Sequence, residues 1–305
     1  MKTINIANGE IKASEISLGC MRIDSLSKSD ASTLINTALE EGINFFDHAD
    51  IYGGGRSEEV FADAIDMNPT VREKLILQSK CGIRKGFFDF SKEHILSSVD
   101  GILKRLRTDY LDVLLLHRPD TLMEPEVVAE AFSILHSSGK VRYFGVSNQK
   151  PLQIEFLNKY LNHKIIINQL QFSIKHTGII DSGLNVNMKN DASIDRDDSI
   201  LEYCRLNNIT IQAWSPFQYG FFEGVFLDND KFPDLNKKIN EIAETKGVTN
   251  TAIAVAWILR HPAKIQTIAG TTNPNRLKDI CKASNVELTR QEWYEIYTAA
   301  GNKLP

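Results

Sequence analysis

The chain has 305 residues, 42% of them hydrophobic and 24% charged, which is the make-up of a soluble globular protein able to build a sizeable core. Its net charge of −4 gives no electrostatic reason to expect nucleic acid or an anionic membrane as a partner. No apolar h-region opens the chain, no apolar run reaches the roughly 20 residues of a membrane span, and Cys20, Cys81, Cys204 and Cys281 form no C-x-x-C; the expectation is a cytoplasmic protein with free thiols, no disulfide framework and no metal.

Strand-like and helix-like segments alternate along the sequence. Residues 16–20 (ISLGC) read as a strand and 31–42 as a helix closed by Gly42. Residues 43–49 (INFFDHA) follow as a strand, then a helix over 57–65 with Ser57 as its cap and Glu58 and Glu59 in the first turn. KLILQSK (74–80) is a strand, and 91–106 a helix capped by Ser91. YLDVLLLH (110–117) precedes a helix over 125–139, and VRYFGVS (141–147) one over 151–161 that starts on a proline. Strands at 165–172, 209–215 and 265–270 alternate with helices at 199–208, around LNKKINEIAETKG and NTAIAVAWILR, at 273–284 and in the tail. TINIANGEIKA at the start reads as a hairpin with an Asn-Gly turn, expected to plug the bottom of the fold.

Roughly eight such units, with strands apolar almost throughout and no Pro-, Gly- or Ser-rich linker, predict one domain over 1–305: an α/β fold, a closed (β/α)₈ TIM barrel. Two connections exceed ordinary length, 173–198 and the aromatic-rich 216–234, and both are expected to overhang the face where the strands end.

Three successive strands run into ionisable residues at that face. The second ends on Asp47, with Tyr52 five residues on; the third ends on Lys80 and the fourth on His117. A phenol is a poor acid near neutrality, its free pKa being about 10. An ammonium about 4 Å away at an effective dielectric near 20 is worth roughly 4 kcal/mol before desolvation, and the expectation is that Lys80 lowers the Tyr52 pKa, by up to about three pH units. Asp47 keeps Lys80 charged and offsets part of the effect, while His117 can donate to a substrate oxygen. These groups suit protonation of a carbonyl oxygen as hydride reaches its carbon. The glycine run after Tyr52 matches no phosphate-binding pattern and reads as a flexible connection.

The motifs D-x-A-x-x-Y (Asp47, Ala49, Tyr52), the strand-end Lys80 and LLLHRPD with His117 resemble the catalytic tetrad of the aldo-keto reductases. GKVRYFGVSN, AWSPF and AGTTNPNRLKD follow in that family's order, and DHADIYGG with LLLHRPD looks closest to its bacterial YdhF-like oxidoreductases. The resemblance implies NADP(H) bound across the barrel mouth, with Tyr52 as proton donor, Lys80 and Asp47 behind it and His117 orienting the carbonyl. It implies Ser147, Asn148 and Gln169 on the nicotinamide carboxamide and Trp214, where the family commonly has tyrosine, stacked beneath the ring. Ser215, Pro216 and Phe217 would line the pyrophosphate path. Gly270, Thr271, Thr272, Asn273, Arg276 and Asp279 would hold the adenosine 2′-phosphate end, and Met21 and Arg22 match positions that often touch cofactor.

For a small, partly apolar aldehyde or ketone, the pocket candidates are Met21, Ile51, Phe87, Phe88, Arg118, Tyr219, Phe221 and Phe222. Arg118 beside the site either favours an acidic group or caps a loop. Two other readings stand beside carbonyl reduction: a cofactor-binding sensor or regulatory subunit with little turnover, and a lyase or isomerase using Lys80 as a Schiff base. The physiological substrate, the reaction direction and the oligomeric state, monomer or weak dimer, are left open by the sequence.

Overall fold

The computed structural model describes all residues, 1–305. Eight parallel strands close a barrel: β1 (Ile16–Gly19), β2 (Phe45–Asp47), β3 (Ile76–Cys81), β4 (Leu111–Leu116), β5 (Val141–Ser147), β6 (Ile165–Gln171), β7 (Thr210–Trp214) and β8 (Gln266–Ala269). Each pairs with the next in sequence, and β8 closes on β1 through Thr267 opposite Ile16. The outer helices are α1 (Lys28–Glu40), α2 (Arg56–Ala64), α3 (Lys92–Leu106), α4 (Pro125–Ser137), α5 (Pro151–Asn158), α6 (Ile200–Leu206), α7 (Pro233–Lys246), α8 (Asn250–Leu259), α9 (Pro274–Cys281) and α10 (Arg290–Ala299). This is the (β/α)₈ TIM barrel that the alternation of segments predicts. None of its helices is long and apolar enough to cross a membrane.

Local chemistry sets where the helices begin. Ser27 caps α1 by accepting from the Asp30 N–H, so that the helix begins at Lys28, three residues before the start read from periodicity, and Ser91 caps α3 through the His94 N–H. Ser57 does not cap α2. The cap is Gly55, with φ of 96°, and the Ser57 hydroxyl donates to the Met21 carbonyl instead.

The two ends of the barrel differ in polarity. At the N-terminal end the hairpin Thr3–Ile6/Ile11–Ser14 turns through Asn8 and Gly9, both at positive φ. Its Ile4, Ile6, Ile11 and Ala13 pack on Phe45, Val113, Leu115 and Ile167 in a dry plug. Towards the other end the interior is not apolar throughout, as the strand composition predicted. Gln78, Gln169, Gln212 and Gln266, one from each of four strands, are buried and bonded in series. Gln78 and Gln169 both donate to Gln212 Oε1 (2.9 and 3.0 Å); Gln212 donates to Gln266 (2.8 Å), and Gln266 to the Ser14 carbonyl (2.7 Å). A buried amide must find partners; this ladder supplies them for all four amide nitrogens, leaves Gln78 Oε1 unpaired, and links the hairpin to the site above.

The two long connections part company. Residues 216–234 form a short hairpin, Gln218–Tyr219 against Gly224–Val225, and lie over the barrel mouth. Residues 173–198 contribute nothing to the cavity there. They hold the C-terminal helix: Asp181 accepts from the Tyr297 hydroxyl at 2.8 Å and Lys175 donates to the Ala300 carbonyl at 2.6 Å.

Candidate active site

A cavity of about 790 Å³ opens at the C-terminal ends of the strands. Lys80 lies fully buried beneath it, and its ammonium has three protons to place. Nζ donates to Asp47 Oδ2 (2.8 Å), the His48 carbonyl (2.7 Å) and the Tyr52 hydroxyl (3.1 Å). All three protons are used. Because an ammonium only donates, the Tyr52 oxygen is the acceptor, and its own proton is left free for the cavity that Tyr52 lines. Asp47 Oδ1 accepts from Gln78 (2.6 Å) and Gln169 (3.0 Å), so the glutamine ladder fixes the carboxylate that fixes the lysine.

The electrostatics correct one sequence-based expectation. Burial pushes the Tyr52 phenol above its ordinary value, and the Lys80 charge only partly opposes it, with Asp47 adding to the rise. The net direction is up, because a phenolate set this deep loses more solvation than one shared ammonium returns. Burial pulls the Lys80 ammonium down, but Asp47 and then Tyr52 outweigh it, so it stays protonated. His117 is held well below the usual histidine range by burial first, then by Lys80 and Arg118, and is a neutral imidazole. Its ring stands 6.0 Å from that of Tyr52 and perpendicular to it. Nδ1 is buried without a partner, which leaves Nε2 as the nitrogen available to a bound molecule.

The loop carrying Tyr52 is packed rather than loose. Gly53, Gly54 and Gly55 all sit at positive φ (56°, 64° and 96°), backbone that L side chains rarely adopt. A Cβ on Gly53 would meet Asp24 at 2.6 Å, and one on Gly55 would meet Arg105 at 2.8 Å. That arginine reaches past Gly55 to the buried Glu58 (2.7 Å), whose other oxygen accepts from Ser79, the neighbour of Lys80 (2.7 Å). Helix α2, the tyrosine loop and β3 are thereby tied together.

A second polar group lies beside the first. Asn148 and Ser215, just past β5 and at the end of β7, hold left-handed backbone without being glycine (φ 56° and 52°), the strained geometry that recurs at binding sites. The Asn148 amide donates to Ser147 Oγ (2.7 Å) and its oxygen accepts from the Trp214 indole (3.2 Å). Ser147 donates to the Gln169 carbonyl at 3.1 Å. Further along, Gly270 leaves open space where a Cβ would be, Arg22 donates to the Gly270 carbonyl (3.2 Å), and Asn273 caps α9. Asp279, the acid on α9, is taken by Lys282 at 2.7 Å, leaving the nearby Arg276 guanidinium without an acid of its own helix. Donors and acceptors of amide kind at one end and a helix N-terminus with arginines at the other fit an elongated dinucleotide with phosphates.

Most residues singled out from the sequence line this cavity, and a few do not. Met21, Arg22, Asp47, Tyr52, His117, Ser147, Asn148, Gln169, Trp214 through Phe217, Gly270 through Asn273 and Arg276 do, as do Ile51, Phe88, Arg118, Phe221 and Phe222. Lys80 acts from beneath. Asp279 faces Lys282; Tyr219 packs edge-on against Phe232 at 4.9 Å and accepts from Lys231; and Phe87 is exposed beside Arg84. Ile83, Gln218, Leu227, Asp228 and Thr251 join the lining unforeseen. They sit in loops or on a helix start where no periodicity marks which side chains turn inward.

The aldo/keto reductase family model matches residues 15–300. The uncharacterized oxidoreductase YcsN of Bacillus subtilis is 37% identical over the whole of both chains. The oxidoreductase YdhF of Escherichia coli, of the kind the motifs resemble, is 33% identical over 88% of this chain and 86% of its own. Among solved structures, an aldo-keto reductase from Klebsiella pneumoniae, described in complex with NADPH, superposes with a TM-score of 0.79 at 21% identity over 99% of this chain and 96% of that one. With Asp47, Tyr52, Lys80 and His117 gathered at the barrel mouth and the match spanning nearly every residue, this chain belongs to the aldo/keto reductase family.

Proposed function

We propose that the protein reduces an aldehyde or ketone to the alcohol with NADPH, Tyr52 giving the proton. The observation that carries this is the saturated Lys80: with its three protons spent on Asp47, His48 and Tyr52, the phenol's own proton is the one free to leave. The nicotinamide, when bound, supplies the hydride. The protein's part is to hold the carbonyl and deliver charge where it develops. His117, neutral and open at Nε2, donates to the carbonyl oxygen and polarises it. As that oxygen becomes basic, the Tyr52 proton moves to it, and the ammonium 3.1 Å away stabilises the phenolate left behind. A phenol whose pKa is raised is well made for this direction, since it arrives at the reaction protonated.

Ser147, Asn148 and Gln169 serve the carboxamide, and Trp214, pinned by its bond to Asn148, is the wall beneath the ring. Arg276 and the α9 N-terminus favour NADPH over NADH through the additional phosphate. Tyr52→Phe removes the transferable proton and leaves the cavity's shape. We expect it to abolish aldehyde turnover, followed as NADPH oxidation, while NADPH fluorescence titration shows cofactor binding kept. Near-normal kcat in that variant would show that the proton comes from elsewhere.

A further inference from the structure

Arg118 follows His117 directly and lines the same cavity. Its guanidinium lies 5.5 Å from the Trp214 ring centre and 5.7 Å from that of Phe221. It is half-buried, and no carboxylate answers it. Burial pulls its pKa below the ordinary arginine value, and the one group whose charge opposes that is Tyr52. Of the two acids that line the cavity, Asp47 is spoken for, since both its oxygens are held by Lys80, Gln78 and Gln169. Asp228, also on the cavity wall, accepts from Asn250.

A cation taken partly out of water without a partner is unfavourable in the free protein. The two fully buried cations are both paired, Arg72 with Asp112 and Lys80 with Asp47. A loop cap would show Arg118 donating to a backbone carbonyl, as Arg22 does to Gly270, and it does not. Flanked by aromatic rings that accept no hydrogen bond in their plane, the guanidinium keeps its N–H edges free, and a forked edge matches the two oxygens of a carboxylate.

We infer that Arg118 is a substrate-anion subsite, and that the enzyme's preferred carbonyl compound carries a carboxylate on the side of the molecule away from the reacting carbon. This rests on the reductase reading above and narrows its substrate class. Ile51, Phe88, Phe221 and Phe222 take the apolar body between the two ends.

The test pairs para-carboxybenzaldehyde with para-formylbenzamide, alike in shape and differing in charge. Wild-type enzyme with saturating NADPH should show kcat/KM higher for the carboxylate by about tenfold or more, the worth of a charge-assisted bond. In Arg118→Gln that ratio should fall towards one, and Arg118→Lys should restore part of it. A wild-type ratio near or below one overturns the subsite. So does an equal loss on both aldehydes in Arg118→Gln together with weaker NADPH binding, which would place the guanidinium on the cofactor. If neither aldehyde is reduced, tryptophan fluorescence titrations with benzoate and benzamide decide. Tighter benzoate, lost in Arg118→Gln, upholds the subsite while the reductase reading falls; equal binding overturns it.

Discussion

Two buried ion pairs stand at opposite ends of neighbouring barrel strands, and only one of them reaches the cavity. Arg72 and Asp112 meet at 2.7 Å where β3 and β4 begin. The guanidinium also donates to Thr108, Leu75 and Tyr110, and the carboxylate accepts the Leu77 N–H and Arg142. Every partner is protein, and the Tyr110 ring covers the guanidinium at 3.7 Å. Lys80 and Asp47 meet at 2.8 Å where β2 and β3 end, equally enclosed. Among their partners is Tyr52, whose other side faces an open cavity. Burial and pairing therefore do not mark a site. What marks it is a charge relayed to a group with one proton still uncommitted.

Breaking the two pairs should separate their roles. The largest effect is expected from Lys80→Met, which removes the charge behind Tyr52; kcat for aldehyde reduction should drop about a hundred- to ten-thousandfold, measured under saturating NADPH. Retention of a tenth of the wild-type kcat would mean that the open pair is merely structural. Asp112→Ala should do the reverse. Leaving Arg72 buried without its acid should cost about 3–5 kcal/mol of unfolding free energy by urea denaturation, with kcat of the folded enzyme within about twofold. A comparable loss of kcat would dissolve the distinction.

The smallest expected effect, and the sharpest, is in the pH profile. On the mechanism proposed above, reduction needs Tyr52 protonated, and its pKa lies above the ordinary phenol value because burial outweighs Lys80. The acid form then persists through neutrality and is lost only above about pH 10. Reductive kcat/KM should show no decline from this group between about pH 6 and 9, whereas alcohol oxidation, which needs the phenolate, should climb across that range. A reductive rate falling with a midpoint near pH 7 would mean that Lys80 wins over burial after all.

Much of this was legible in the residues. Alternating strand and helix periods specify the barrel, because a strand buried on both faces and a helix with one apolar stripe have few ways to pack. Parallel strands joined by helices all end on one face, so Asp47, Lys80 and His117 had to converge there. The Asn-Gly turn specified the hairpin, and its alternating apolar residues specified the plug.

Other features were settled only by the folded chain. The glutamines look like isolated polar interruptions in LILQSK, NQLQ, TIQAW and IQTIAG; closure of the barrel makes them one ladder. Residues 173–198 and 216–234 are both long and follow strands, yet one braces the C-terminal helix and the other roofs the cavity. The sign of the Tyr52 shift belongs to the same class. A sequence shows which charges can approach a phenol, but desolvation is a property of everything around it, and it depends on how fully the loop packs. The same holds for Arg118, since having no partner is a fact about the whole neighbourhood and not about any motif. Residue order determines which groups reach the barrel mouth; three-dimensional packing decides which of them keep water, partners or a spare proton.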